Sequence, residues 1–319
     1  MDLQQRKLNA AWLSVFSNIG LVMMKLTAGL MIGSVSIISE ALHSGVDLLA
    51  ALIATYSVKK SGIPADTGHP FGHWKIENIS GTIEALLIFL ASGWIIYEAI
   101  DKLLNPEPIE YVSWGVGVML ISTLVNIIVS EMLFKVAKET DSIALEADAW
   151  HLRTDVYTSA GVLASLMLIW ASHWISVEPD IHWLDPVAAI GVALLIMRTA
   201  YNLTLHSARD LMDTKLPADE ETWIRRLIET QQPLIRGFHR LRTRKAGNFR
   251  FIDFHIKLDP HMSVEASHGI TEELTTNIKK RFPDASVTVH TEPCDGKCVG
   301  ECLSGCLLSG TERENVLQK

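Results

Sequence analysis

The sequence predicts a membrane α-helical protein of six transmembrane helices followed by a C-terminal cytosolic α+β domain of element order αββαβ, and three observations carry that expectation. Six runs of predominantly apolar residues lie at 8–32, 36–58, 79–103, 112–134, 144–173 and 184–205, each about the 20 residues a bilayer demands. Beyond residue 212 the pattern changes to charged residues mixed with short apolar segments, as in soluble domains. Lys and Arg alternate between loops. Arg6 and Lys7 precede the first run, Lys59, Lys60 and Lys75 separate the second from the third, and Lys135 and Lys138 follow the fourth, whereas residues 105–111 and 172–183 contain neither. Basic loops stay on the cytosolic side, so the expected arrangement is a multi-pass inner-membrane protein with both termini in the cytosol. The first run exceeds a signal-peptide core and no small-residue cleavage site follows it, so it reads as a retained span.

Composition narrows the partners. The chain is 48% hydrophobic and 20% charged, which favours the bilayer as its solvent. A net charge of −8 and the lack of any basic stripe argue against nucleic acid. All four cysteines, Cys294, Cys298, Cys302 and Cys306, fall in the last stretch, so no disulfide framework supports the spans. A cytosolic tail keeps them as thiols. Three regions follow: a transmembrane domain at 1–212, a cytosolic αββαβ domain at 213–292 and a Cys-containing tail at 293–319.

In the first run, Lys25 is expected to snorkel or to pair within the bundle. Asn18 and Asn126 are expected to hydrogen-bond between helices. The second run carries Glu40, His43 and Asp47, and the fifth carries Asp148, His151 and Asp155, both at i, i+3 and i+7. That spacing puts each set on one helix face. Ionisable groups are costly in a bilayer. Two helices that each present His and Asp one turn apart can close four N and O ligands, His43, Asp47, His151 and Asp155, around a divalent cation with the stoichiometry of a tetrahedral zinc site.

The loop after the second run places Asp66, His69 and His73 on a Gly- and Pro-rich turn. These three can ligate a second, more exposed ion, or they form a polar turn whose histidines are incidental. Beyond Asp213, residues 218–232 show helix periodicity, 237–245 and 249–258 alternate as two strands around Gly247 and Asn248, 263–282 reads as a second helix and 285–290 as a last strand. Both helices should pack on one face of a three-stranded sheet whose exposed edges suit a dimer. Phe251, Asp253, His255 and Lys257 share the strand face away from the core. His239, His268, His290 and Glu292 recur close by, and this density of ligand types favours a metal site. The four cysteines stand four apart, which on a helix makes one stripe able to take zinc or Cu(I). Gly296, Gly300, Gly305 and Gly310 oppose such a helix and leave an unstructured reduced tail as the alternative.

Together these features resemble the cation diffusion facilitators, a family of zinc-type divalent-metal transporters. The resemblance rests on six spans, HxxxD at His43/Asp47 and His151/Asp155, the loop sequence HPFGHWK at 69–75, and a soluble domain ending VTVHTEPC at 287–294. It implies that His43, Asp47, His151 and Asp155 form the intramembrane transport site and that Asp66, His69 and His73 form a loop site. It further implies that His239, His255, His268, His290 and Glu292 form a regulatory binuclear site at the interface of a homodimer, and that Lys75 and Asp213 tie the membrane bundles together. Two departures stand out: His43 replaces the Asp of some bacterial members, similar to members regarded as zinc-selective, and Glu292 replaces a common Asp.

The expected function is a zinc/proton antiporter that exports zinc from the cytosol, with zinc as substrate and regulatory ligand and no catalytic cofactor. Export of cadmium, cobalt or ferrous iron is the alternative within the class, and a membrane metal sensor the alternative outside it. An intramembrane zinc protease would carry HExxH, which is absent here. Four protein ligands would also leave no open position for an activated water.

Overall fold

The structure is a computed structural model and describes residues 3–32, 35–105, 113–174, 183–296 and 300–317. The chain divides into two compact units, Met1–Leu211 and Met212–Lys319. Six long helices build the first: α1 (Leu3–Ile32), α2 (Val35–Ser61), α3 (Lys75–Leu104), α4 (Ser113–Thr140), α5 (Ile143–Trp174) and α6 (Leu184–Leu211). Among the described residues, Leu3–Met31, Ala41–Ser61, Lys75–Leu104, Gly117–Thr140 and Pro186–Leu211 are long and apolar enough to cross a membrane. In α5, the side chains of 162–174 lie outside the described residues. The helices overrun the apolar runs at their polar ends because backbone hydrogen bonding continues past the hydrocarbon core.

Helix α3 packs mainly along α6, α1 along α2 and α4 along α5, and α5 touches every other helix of the bundle. Outward faces carry large apolar side chains such as Phe16, Leu90, Trp94 and Leu195, all exposed as a lipid-facing surface requires. The interior is small and polar: Ala11, Ala51, Ala85, Ala144 and Ala149 are fully or almost fully buried, which lets backbones approach. At one end, fully buried Glu77 accepts hydrogen bonds at Oε1 from Lys7 Nζ at 2.9 Å and Ser61 Oγ at 2.8 Å, and at Oε2 from Ser142 Oγ. That carboxylate ties together the beginnings of α1, α3 and α5 and the end of α2. Asn78 Nδ2 adds a bond to Asp210 Oδ2 at 3.1 Å, joining α3 to α6.

The second unit contains α7 (Ala218–Glu229), β1 (Gly237–Ala246), β2 (Phe249–Leu258), α8 (Val264–Arg281), β3 (Ala285–Pro293), α9 (Gly300–Ser304) and α10 (Gly310–Leu317). The αββαβ order holds. The sheet order is β1-β2-β3, with β1 antiparallel and β3 parallel to the central β2. Ile224 and Ile228 of α7 and Ile270, Leu274 and Ile278 of α8 pack on Ile252, Phe254, Ile256 and Leu258 of β2, so both helices share one sheet face. Helix α7 stops before the expected 232 because Pro233 disfavours helical backbone in the residue ahead of it. Helix α8 starts where Ser263 Oγ caps Ala266 N at 3.1 Å. Strand β3 runs past 290 because its pairing with β2 persists to Leu258 and Pro293.

The tail folds back rather than hanging free. Phe238 N donates to Gly305 O and Leu307 N to Arg236 O, both at 2.9 Å, which lays Gly305 to Leu307 along the open edge of β1. Gly305 is required there, since a Cβ would meet Phe238 O at 1.7 Å. Among the described residues the cysteines do not share one helix. Cys294 follows β3, Cys302 lies in the short α9, Cys306 pairs with Gly237 in an isolated bridge, and Cys298 lies outside the described residues. Gly296, at φ +78°, bends the chain where a continuous helix would have to begin.

Candidate metal centres

Helices α2 and α5 set the four intramembrane candidates crosswise as two His–Asp pairs. His43 Nε2 stands 4.0 Å from Asp155 Oδ1, and one turn away Asp47 Oδ1 stands 3.0 Å from His151 Nε2. Donor atoms of His43, Asp47 and Asp155 all lie within 4.8 Å of one another. Asp47 is 4% exposed and His151 8%, whereas His43 is exposed. A cavity of about 160 Å³ reaches His43, Asp47 and Asp155 and is lined further by Lys25, Ser122, Asn126 and Thr158, whereas His151 lies behind Asp47 and outside both the cavity lining and this donor group. Two carboxylates carry the charge that a divalent ion would need balanced, and imidazole nitrogens are further donors that add no charge while neutral.

The neighbours of this set were partly legible. Lys25 pairs within the bundle as expected, donating to Ser44 Oγ at 2.9 Å, yet it also lines the cavity. Asn126 bridges helices, with Nδ2 at 3.5 Å from Asp155 Oδ2, so it touches a ligand. Asn18 departs from expectation: its Nδ2 donates to Ser14 O of its own helix at 3.1 Å, one turn back, where a backbone acceptor is in reach. The side chain of Glu40 lies outside the described residues.

The loop between α2 and α3 gathers Asp66, His69 and His73 within 4.8 Å. Asp66 Oδ1 accepts from Gly68 N at 2.9 Å and His69 N at 2.7 Å, which curls the turn. His69 Nδ1 then lies 3.4 Å from Oδ1 and His73 Nε2 3.6 Å from Oδ2. Gly72 supplies the positive φ, +83°, that brings His73 back towards Asp66. The backbone N–H of His69 beside the carboxylate, with that of Gly68 and the two imidazoles, holds Asp66 below the usual carboxylate range and so ready to ligate.

In the second unit the strand register sets His239 opposite His255 and His255 opposite His290, a row of three imidazoles across the sheet face away from the core. Ring centroids are 5.1 and 4.7 Å apart. Glu292 reaches all three: 2.8 Å to His255 Nδ1, 3.5 Å to His239 Nε2 and 3.8 Å to His290 Nε2. Lys257, opposite Glu292 on β2, stands 2.8 Å from its Oε2. The hydrogen bond from Lys257, seconded by His255, pulls the Glu292 carboxyl down to about 2, and burial lowers His239. Both shifts favour the ligating forms at neutral pH. His268 is not part of this group within one chain. It sits on α8, exposed and 3.5 Å from Glu272, and α8 covers the opposite face of the sheet. Lys257 was read only as a face residue, and nothing in its local sequence signals its place as the cation of this row.

A bundle of six long helices carrying a largely buried imidazole–carboxylate set, with a second unit bearing its own histidine row, fits a membrane transporter that handles metal cations. Comparison with known proteins agrees. Residues 11–212 match the cation efflux transmembrane domain, and residues 216–294 match the cytoplasmic domain of cation efflux proteins. The chain is 35% identical over 285 residues to an uncharacterized transporter of Synechocystis sp., covering 89% of this chain and 90% of that one. It is 32% identical over 280 residues to the cation-efflux pump FieF of Shewanella oneidensis (88% and 92% covered) and 30% identical over 276 residues to that of Salmonella arizonae (86% and 89% covered). The chain belongs to the cation diffusion facilitator family of cation-efflux transporters.

Proposed function

We propose that this transporter is a zinc/proton antiporter that exports zinc from the cytosol as a homodimer. The observation that carries this reading is the crosswise approach of His43 to Asp155 and Asp47 to His151. A divalent ion entering the bundle loses most of its water, and only ligands that replace both its coordination and its charge offset that loss. Two N and two O donors suit zinc, whereas ions that prefer six oxygen ligands fit poorly. Imidazoles must be neutral to ligate, and an ordinary imidazole titrates near pH 6.5, so zinc and protons compete for the same atoms. Helices that expose the site to one side at a time turn this competition into exchange.

The test is zinc flux into proteoliposomes under an imposed pH gradient. Antiport predicts uptake that follows the gradient and disappears in Asp155→Ala; uptake indifferent to either refutes it. Selectivity is tested by His43→Asp, which should shift the ratio of zinc to cadmium transport.

For the histidine row, zinc held by His239, His255, His290 and Glu292, with His268 supplied by the second copy, draws the two cytoplasmic domains together and favours the transporting state. The position of His268 on the far side of its own sheet supports a ligand shared between copies. Full and normally metal-dependent transport after removal of residues beyond Asp213 would exclude this regulation.

A further inference from the structure

Between the ligand set and the helix ends gathered by Glu77 lies a second acidic group that the transport site does not use. Asp148 stands on α5 one turn before His151, and Glu84 on α3 two turns after Glu77. Asp148 is 1% exposed; Ser14 Oγ on α1 is its near polar neighbour, and neither carboxylate oxygen makes a hydrogen bond of normal geometry. Glu84 is 0% exposed; Oε1 accepts from Ser80 Oγ at 3.1 Å and Oε2 has no partner. Ser14 Oγ on α1 and His151 Nδ1 are likewise buried without partners. The groups are mutual neighbours. Ala85 and Ala147, adjacent in sequence to Glu84 and Asp148, pack in one buried cluster between α3 and α5.

Buried polar groups are nearly always satisfied, and an unsatisfied carboxyl is among the most costly exceptions. Two on facing helices, with two hydroxyls and an imidazole nitrogen beside them, present oxygen donors and negative charge that suit a cation. Position says which. Asp148 and Glu84 lie on the side of the ligand set nearer the helix ends that carry Lys59, Lys60 and Lys135, the cytosolic end by charge. Here that end is closed by Lys7, Ser61 and Ser142 on Glu77. An ion moving from the cytosol to His151 and Asp47 passes Glu84 and Asp148 once that closure loosens.

We propose that Asp148 and Glu84 form an inner way-station for the transported divalent cation, which holds the ion on the cytosolic side before it reaches His43, Asp47, His151 and Asp155. This rests on the transporter reading above, and the test separates the two.

Asp148→Asn, Glu84→Gln and the double variant of the full chain are reconstituted, and initial zinc flux is measured against zinc on the cytosolic face. The way-station predicts a rise in KM of about tenfold or more in the double variant, with kcat within about twofold and a melting temperature unchanged or higher, because stranded carboxylates have been removed. Zinc binding measured by equilibrium dialysis in an Asp155→Ala background that also carries His69→Ala, His73→Ala, His239→Ala and His255→Ala, so that the loop and cytoplasmic sets are removed, should show a weak class of sites that disappears when the two substitutions are added. An unchanged KM overturns the proposal, as does an altered pH dependence of kcat at constant KM, which would make the pair proton carriers. Weak binding that survives the substitutions also overturns it. If the single Asp155→Ala variant transports normally, it is the four-ligand transport site that fails instead.

Discussion

Asparagine in place of Asp47 separates charge from shape. The side chain is 4% exposed, and its Oδ1 lies 3.0 Å from His151 Nε2, so Asn keeps the volume and a hydrogen-bonding oxygen while removing one of two negative charges from the ion's surroundings. Solvent screens little at such a position. Loss of one partner from a buried charge pair costs about 3–5 kcal/mol, equivalent to roughly two to nearly four orders of magnitude in affinity. Zinc flux in proteoliposomes should therefore show kcat/KM reduced by at least about a hundredfold in Asp47→Asn. His43→Ala, at an exposed and formally neutral ligand, should lose less. Asp47→Asn flux within about threefold of wild type, or an inverted order of the two variants, would refute the reasoning that charge replacement at the buried end of the site sustains transport.

Three further outcomes follow from the same coordinates. Glu77→Ala removes the carboxylate that Lys7, itself 1% exposed, contacts together with Ser61 and Ser142, and should destabilise the detergent-solubilised chain by about 3–5 kcal/mol; a Lys7→Met, Glu77→Met double variant should lose less, and equal losses in thermal unfolding would contradict the ion-pair account. Glu292 is held at about 2 against an ordinary 4.5, so in metal-free protein its stabilising contribution is full above 4.5 and is lost as pH falls towards 2. Protection factors of β2 and β3 amides, corrected for the intrinsic pH dependence of exchange, should fall across that window and fall less in Glu292→Gln; identical profiles would show the shift to be unimportant. Gly305→Ala forces a Cβ into Phe238 O and should detach the tail from β1, making residues 300–317 accessible to protease, whereas unchanged protection would place the tail's attachment elsewhere.

Much of this molecule could be read before it was seen, and the reason differs from part to part. Spans are legible because hydropathy is a local property, and the His–Asp pairs because helical spacing alone puts His43 with Asp47 and His151 with Asp155 on one face. The side of β2 that carries His255 followed from alternation. What alternation cannot supply is register. That His239, His255 and His290 stand in one row, and that Lys257 answers Glu292, is decided by strand pairing between segments far apart in sequence. His268 shared the ligand type of this row but not its face, because α8 packs on the core side. The Glu77 group draws on four separate segments, none of which announces the others. Neither a cysteine stripe nor an unstructured tail, the two readings the sequence left open, anticipates this attachment, because it is made by backbone groups of Gly305 and Leu307, which carry no compositional signal.

The central claim is that two imidazoles and two carboxylates share one ion inside the bundle. X-ray absorption at the zinc edge tests it most directly, on a full-length variant whose loop and cytoplasmic ligands are removed by His69→Ala, His73→Ala, His239→Ala and His255→Ala. The account predicts one bound zinc per chain with four light ligands at about 2.0–2.1 Å, two of them imidazole. A six-coordinate, water-dominated shell, or a single imidazole, would contradict it.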